Sequence, residues 1–377
     1  MHQDDLDVAH IDEHRLSRAQ FLALAGASAA ALSGFTSSTA RASSDTTYAK
    51  GGSVNLWTWP QYWAPKNIQL FEKTTGTKVN MSTYDSNDAA FAKLNASGGS
   101  SGFDLVIPTS DFVPVMASHG LIQKIDHSRI PWRYVDPKLL GKVFDPHNRY
   151  SVPKDYGTIG VIYDPHVVKT PIRTWQDFLN AGTQPGISGK VEVPDVPDEN
   201  LGIALWAAHR SWNTDSLKEL NQAAGVMKKF AKHIKAFNEF DTSGVASGAV
   251  VMAVVTQGTA ALMIQQKPRL KFVIPLPQSE LWVDNYCIVT NAPNINQAYS
   301  FIDFMLQPAQ QLRDVPYIGY PTTLPGIEHR LPAHMPQKSL IFIKPSDFNR
   351  LVPHVIHPSI QGYVENLYTQ IQAAAAA

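Results

Sequence analysis

Apolar positions along the chain fall into two periods, one of strands and one of helices. Ser53 to Trp59 is a β-rich run. Pro65 to Thr74 then carries Ile68, Leu70 and Phe71 at helical positions until Gly76 stops it. Lys78 to Tyr84 predicts a second strand. Ser86-Asn87-Asp88 opens a helix bearing Phe91 and Leu94, because short polar side chains satisfy the free N–H groups of a first turn. A glycine-serine loop (Gly98 to Gly102) leads to a buried-type strand over Phe103 to Pro108, and Ser110 to His119 reads as the next helix. The order strand, helix, strand, helix, strand argues for a mostly parallel sheet with helices on its faces.

The alternation resumes after Tyr150, with strands predicted at Thr158–Tyr163, Lys190–Val193, Ile234–Phe237, Val250–Val255 and Lys271–Ile274. Helices are predicted near Thr174–Ala181, Leu201–Ser211, Asp215–Lys232 and Gly258–Gln266. A further strand, Trp282–Val289, precedes a helix over Asn296–Leu306. The tail from Pro345 to Ala377 is helical in parts and ends in a low-complexity alanine run. No repeat of 20 to 50 residues is present. The pattern describes two similar α/β units, an arrangement that places a ligand cleft between them.

Composition narrows the classes. The 377 residues are 44% hydrophobic, enough for two cores. Lys plus Arg equals Asp plus Glu at 32 each, so there is no basic surplus of the kind a nucleic-acid binder shows. One cysteine, Cys287, lies in an apolar run; it excludes a disulfide framework and reads as a small buried residue. Arg15 and Arg18 precede the apolar stretch Phe21–Leu32, and Ala40-Arg41-Ala42 follows as a small-x-small site. That order predicts a signal peptide over 1–42 and a linker over 43–52. The apolar core is too short to span a bilayer, so no stable membrane insertion is expected. Ser17-Arg18-Ala19-Gln20-Phe21-Leu22 has the form of a twin-arginine signal lacking its second Arg. Both that route and the general Sec route to the periplasm therefore stay open.

Catalytic signatures are missing: there is no Gly-x-Ser-x-Gly elbow, no phosphate loop with Lys and no His-Glu-x-x-His. His354 and His357 are flanked by Pro353 and Pro358 with no neighbouring carboxylate in sequence, so no metal site is expected there, and no cofactor elsewhere. Asp195, Asp198 and Glu199 read as a loop capping the helix near Leu201. Aromatic residues at strand ends stand out instead. Trp57-Thr58-Trp59-Pro60-Gln61-Tyr62-Trp63 packs four aromatics into seven positions, and Pro60 forces the chain out of the sheet. Loops at the carboxyl ends of strands in open α/β sheets are where ligands bind. Trp57 is assigned to the core, whereas Trp59 and Tyr62, beyond the strand, are candidates for the cleft.

These residues carry a resemblance. Trp59-x-x-Tyr62; Phe71-Glu72-Lys73-x-Thr75-Gly76-x-Lys78-Val79 with Ser82–Asn87; Asp104-Leu105-Val106-x-Pro108 with Gly120–Asp126; Trp282-Val283-Asp284; and Ile318-Gly319-Tyr320-Pro321-Thr322 occur in the family's order. The chain resembles the periplasmic spermidine/putrescine-binding proteins of ABC transporters over nearly its full mature length. The resemblance implies a two-lobed type II binding-protein fold with hinge strands and a ligand cleft between the lobes. Lobe 1 would be 53–157 plus 283–328, and lobe 2 would be 158–282 plus 329–377. It implies that Trp59, Tyr62, Trp282 and Tyr320 line the aliphatic part of a polyamine while Asp284 pairs with an ammonium. Ring faces attract cations by roughly 0.5 to 2 kcal/mol each. A buried ammonium also needs a carboxylate or several acceptors.

The chain departs from the family pattern at Gln61, where an acid is usual, and at Thr256, where a Trp is usual. Glu199 aligns with one of the family's two acids, but Val196 falls near the other. Asp111 is an acid untypical of the family at a cleft-facing position, and Asp155 lies near the hinge beside Lys154. Either Asp111 and Glu199 replace the missing acids or the ligand carries fewer charges than spermidine. The expected function is a receptor, not an enzyme, that binds a small cationic amine and delivers it to an ABC transporter permease, working as a monomer. Two alternatives accompany it: a different small ligand (a smaller amine, an amino-acid-like or a thiamine-like cation), and an amine-processing enzyme using Asp111 and Glu199 as acid and base.

Overall fold

The computed structural model describes residues 48–98, 101–238 and 242–376. The signal peptide expected over 1–42, and residues 43–47 of the linker, lie outside them. In the first lobe, β1 (Ser53–Thr58), α1 (Pro65–Thr75), β2 (Lys78–Thr83), α2 (Asn87–Ala96), β3 (Leu105–Val106) and α3 (Phe112–Ser118) alternate as the pattern predicts. β1 pairs in parallel with β2 and β3. Pro65 opens α1, where its missing N–H costs nothing. Gly76 closes it with φ 69° while its own N–H donates to Glu72 O. Ser86 caps α2 by accepting from the Ala89 N–H.

β4 (Val152–Gly157) is a strand that the sequence pattern did not reveal. All six of its residues are buried, Lys154 and Asp155 included, so no alternation of polar and apolar positions marks it. Only Thr158 separates it from β5 (Ile159–Tyr163), and the chain thereby passes into a second sheet. There follow α4 (Trp175–Gly182), β6 (Val191–Val193), α5 (Pro197–Ala207), α6 (Leu217–Ala231), β7 (Ile234–Phe237), β8 (Met252–Thr256), α7 (Gln257–Gln266) and β9 (Lys271–Val273). The second sheet has the order β7-β6-β8-β5-β9. After β10 (Ser279–Glu280) the chain returns through β11 (Trp282–Ile288), giving the first sheet the order β2-β1-β3-β11-β4. Both sheets are mixed rather than mostly parallel. The returning β11 runs antiparallel to β3 and β4, and β5 runs antiparallel to β8 and β9.

α8 (Ile295–Leu306) packs on the first core, and α9 (Pro308–Ile318), a helix not foreseen, follows it directly. β12 (Leu351–Val352) pairs with β10, and α10 (Gln361–Ala376) closes the second core with Val364, Leu367 and Ile371. The alanine run is therefore the end of a packed helix. Leu56, Phe71, Leu105 and Met305 belong to one core, while Trp175, Phe178, Trp206 and Met227 belong to the other. Each such side chain stabilises its lobe by about 1.5–3 kcal/mol relative to exposure. Cys287 is fully buried in the first core, and burial pushes its thiol pKa well up. Trp57 packs at the same core's edge, stacked on Phe103. Among the described residues no helix is long and apolar enough to cross a membrane.

Candidate functional site

The carboxyl ends of the strands converge on one cavity of about 430 Å³ between the two sheets. The turns after β1, β2 and β3 supply Trp59, Asp85 to Asp88, and Thr109 with Asp111. The turns after β6 and β8 supply Asp195 to Glu199 and Thr256. β10 and β11 add Glu280, Trp282 and Asp284, and α10 adds Gln361 and Glu365. Nine of the lining residues are carboxylates, Asp85, Asp88, Asp111 and Asp284 from the first lobe's turns and strand, Asp195, Asp198, Glu199 and Glu365 from the second, and Glu280 at the crossing. Among the described residues, no Lys, Arg or His lines the cavity. Another cavity, of about 320 Å³, is lined by Tyr48, Arg129, Arg133, Tyr299 and Asp303 of the first lobe, so two guanidinium groups outnumber its one carboxylate.

The acids crowd one another. Burial, with Asp111 and Glu365 nearby, holds the Asp88 carboxyl above its usual pKa. Asp198 is likewise raised by burial against the favourable charge of His354, with Asp111 adding to the rise. Beyond burial, neighbouring carboxylates contribute to both shifts, and a cation entering between them relieves that repulsion.

Asp284 is held from two sides. Thr109 Oγ1 donates to its Oδ1 at 2.7 Å, and the Tyr62 hydroxyl contacts its Oδ2. Tyr62 also reaches Asp155 Oδ1 at 2.7 Å, because Asp155 and Asp284 are register partners on β4 and β11. Lys154 closes this hinge network: its Nζ lies 2.6 Å from Asp155 Oδ2 and 3.6 Å above the centre of the Tyr62 ring. Asp155 is thus occupied by an internal cation within the hinge, and neither it nor Lys154 lines the cavity.

Trp59 and Trp282 form the apolar walls, each backed by a tyrosine. Trp59 meets Tyr84 edge-on at 4.6 Å, and Trp282 meets Tyr320 edge-on at 4.8 Å. Tyr320 is bonded to Thr256 Oγ1 at 2.9 Å, and Thr256 in turn caps α7.

The expected site residues divide accordingly. Trp59, Asp111, Glu199, Thr256, Trp282 and Asp284 line the cavity. Tyr62 and Tyr320 stand behind the wall, tied to lining side chains by their hydroxyls. Gln61 does not line it: the left-handed turn at φ 51° that follows Pro60 leaves its side chain exposed. Asp198 and Glu199 are not a loop before a helix at Leu201. Helix α5 begins at Pro197, and both acids occupy its first turn, where the positive end of the helix dipole favours them.

Sequence reasoning missed Asp85, Asp88, Asp195, Asp198, Glu280 and Glu365 as lining residues. For Asp85 and Asp88 a signal existed, since they follow β2 as Trp59 follows β1. It also set His354 aside for want of a carboxylate. The fold brings His354 Nε2 to 3.5 Å from Asp198 Oδ1 and Nδ1 to 3.9 Å from Asp111 Oδ2. Among the described residues no cluster has the composition of a metal site.

The family model of the bacterial extracellular solute-binding proteins matches residues 66–338. The chain belongs to that family. This solute-binding protein is 31% identical to the putrescine/agmatine-binding protein of Pseudomonas aeruginosa over 76% of its length and 83% of the relative's. It is 33% identical to the spermidine/putrescine-binding periplasmic protein of Escherichia coli, over 71% of its own chain and 76% of the other. A solved spermidine/putrescine ABC transporter substrate-binding protein of Streptococcus pneumoniae superposes with a TM-score of 0.76 at 25% identity, over 86% of this chain and all of that one. A putative spermidine/putrescine ABC transporter protein of Listeria monocytogenes gives 0.75 at 29% identity, over 85% and 98%. The fold is that of a two-lobed type II binding protein, and such a receptor captures a solute without transforming it. The chain is a receptor and not an enzyme, which removes the acid-base reading of Asp111 and Glu199.

Proposed function

We propose that this solute-binding protein captures a small diamine or polyamine between its lobes and delivers it, as an extracytoplasmic monomer, to the permease of an ABC importer. One observation carries the reading: a cavity lined by carboxylates from both lobes, with two Trp walls and, among the described residues, no basic side chain. An alkyl diamine presents two ammonium ends and an apolar middle, which is the complement of that lining. Trp59 and Trp282 cover the methylenes and attract the cations through their ring faces. Asp284, fixed by Thr109 and Tyr62, pairs with one ammonium, and acids of the second lobe, Glu199 among them, receive the other. Ligand charges then bridge the lobes, and closure follows from differential affinity for the closed state. A zwitterion would need a cation in the lining for its carboxylate, and the described lining residues offer none. The relatives' amines and periplasmic location support the same reading. Export by the expected signal over residues 1–42 belongs to this proposal.

A thermal-shift screen of the mature protein against putrescine, spermidine, spermine, cadaverine, agmatine and several amino acids tests it. A ligand that binds only the folded state raises the melting temperature by mass action. The expected result is a rise with one or more amines and none with amino acids. A shift produced by a sugar or an anion, with no amine effective, rejects it.

A further inference from the structure

His354 lies on a segment anchored to the second lobe. Asn213 Nδ2 donates to Pro353 O at 2.9 Å, and the Val355 N–H donates to Asn213 Oδ1 at 3.0 Å. The imidazole rests on Trp212 at 4.6 Å between ring centres. Trp212 rests on Trp206 at 4.8 Å, and Trp206 stacks on Trp175 at 5.0 Å. The stack seats the ring against the second lobe, and its two nitrogens face separate acids. They point to Asp198 Oδ1 at 3.5 Å in α5 and across the cleft to Asp111 Oδ2 at 3.9 Å at the start of α3. Both partners line the cavity, while His354 itself is 6% exposed behind them. One protein group thus stands between an acid of each lobe, the position an ammonium of an extended polyamine would take.

We infer that His354 is a specificity-determining residue: its imidazolium serves as a built-in cation that satisfies Asp111 and Asp198, so that the cleft favours a two-charge amine over a three-charge one. The inference rests on the amine reading above. Burial opposes the charged ring, but the close approach of Asp111 and the charges of Asp198, Asp111 and Glu280 outweigh it, and the pKa stands above the ordinary imidazole value. A third ammonium arriving at that end meets a like charge and finds its carboxylates taken. Discrimination of this kind works by an unfavourable contact with the wrong ligand rather than a better one with the right ligand.

Putrescine and spermidine, titrated calorimetrically into the wild-type protein and His354→Gln, test this. In His354→Gln, spermidine is expected to gain about tenfold or more relative to putrescine, the amide having no charge to repel the third ammonium. A ratio unchanged, or moved toward putrescine, overturns the inference. The wild-type protein gives a second measurement should the variant fold poorly. Between about pH 6 and about pH 7.5 the ligand's aliphatic ammonium groups stay protonated, with reference values near 10, while the imidazolium fraction of the ring falls with rising pH. The spermidine-to-putrescine affinity ratio is expected to climb with pH in the wild-type protein. In His354→Gln only the change due to the acids, Asp88 and Asp198 with their raised pKa values, should persist. A wild-type ratio flat across this range overturns the inference. If putrescine binds and the ratios fail, the amine reading stands alone; if neither amine binds while another solute does, both fall.

Discussion

Asp284 shows how a single carboxylate is anchored where two strands cross. The Tyr62 hydroxyl has one proton and two carboxylates within reach, Asp155 and Asp284, and Lys154 already neutralises Asp155. Thr109 supplies Asp284 with a second donor, and these bonds fix the carboxylate without cancelling its charge. Asp284→Asn keeps the shape: its amide oxygen still accepts from Thr109, while its amide nitrogen faces the Tyr62 oxygen, whose own proton is then given to Asp155. The variant is expected to fold normally and to bind its amine at least about tenfold more weakly, which is roughly 1.4 kcal/mol or more. Titration calorimetry measures this, and unchanged affinity would assign Asp284 to the hinge network alone. Much of this residue scale was open to sequence reading, because the site lies at strand ends and aromatic or acidic residues there are conspicuous. Gln61 failed because the direction of a side chain in a left-handed turn is set by backbone geometry. His354 failed because its carboxylates come from chain segments far away in sequence.

The crossing strands β4 and β11 are the elements that convert the fold into a site. Their register sets Trp282 opposite Gly157 and Asp284 opposite Asp155, so one strand pair positions a wall and an anion together. Gly157 is required by contact: a Cβ there would lie 2.1 Å from Trp282 Cζ2 and 2.7 Å from Gln257 Oε1. The Trp282 ring has little room to retreat, since Tyr320 packs against it and is itself held by Thr256. Gly157→Ala should therefore cost about 1–3 kcal/mol of stability by overpacking. It should also lower amine affinity by displacing the Trp282 wall, and thermal unfolding with a ligand titration checks both. A variant with unaltered stability and affinity would show that the ring can be repositioned freely. The amphipathic elements that flank this pair were legible from their periods. β4 was not, because burial on both faces erases the alternation that betrays a strand, and the single residue between it and β5 concealed the crossing.

The whole molecule carries no formal net charge, yet its cleft gathers nine carboxylates. Long-range attraction of a cation is therefore a property of the cleft's own field, focused between two low-dielectric lobes, rather than of the protein's overall charge. Raising the ionic strength from about 0.05 M to about 0.5 M should weaken a diamine by roughly tenfold, because the Debye length falls from over ten to a few ångströms. Calorimetry across a salt series measures it, and an affinity indifferent to salt would point to an apolar or neutral ligand.

The sequence by itself determined the two α/β units, most of their strands and helices, the receptor class and the aromatic turn at the end of β1. Those features follow from local rules: periodicity, caps, turn residues and ordered motifs. Tertiary structure alone decided which acids face one another, that Asp155 is consumed by Lys154, and that His354 stands between Asp111 and Asp198. Electrostatic pairing depends on distance in space, and no local rule brings residues 111, 198 and 354 together. The closing of two lobes around β4 and β11 does.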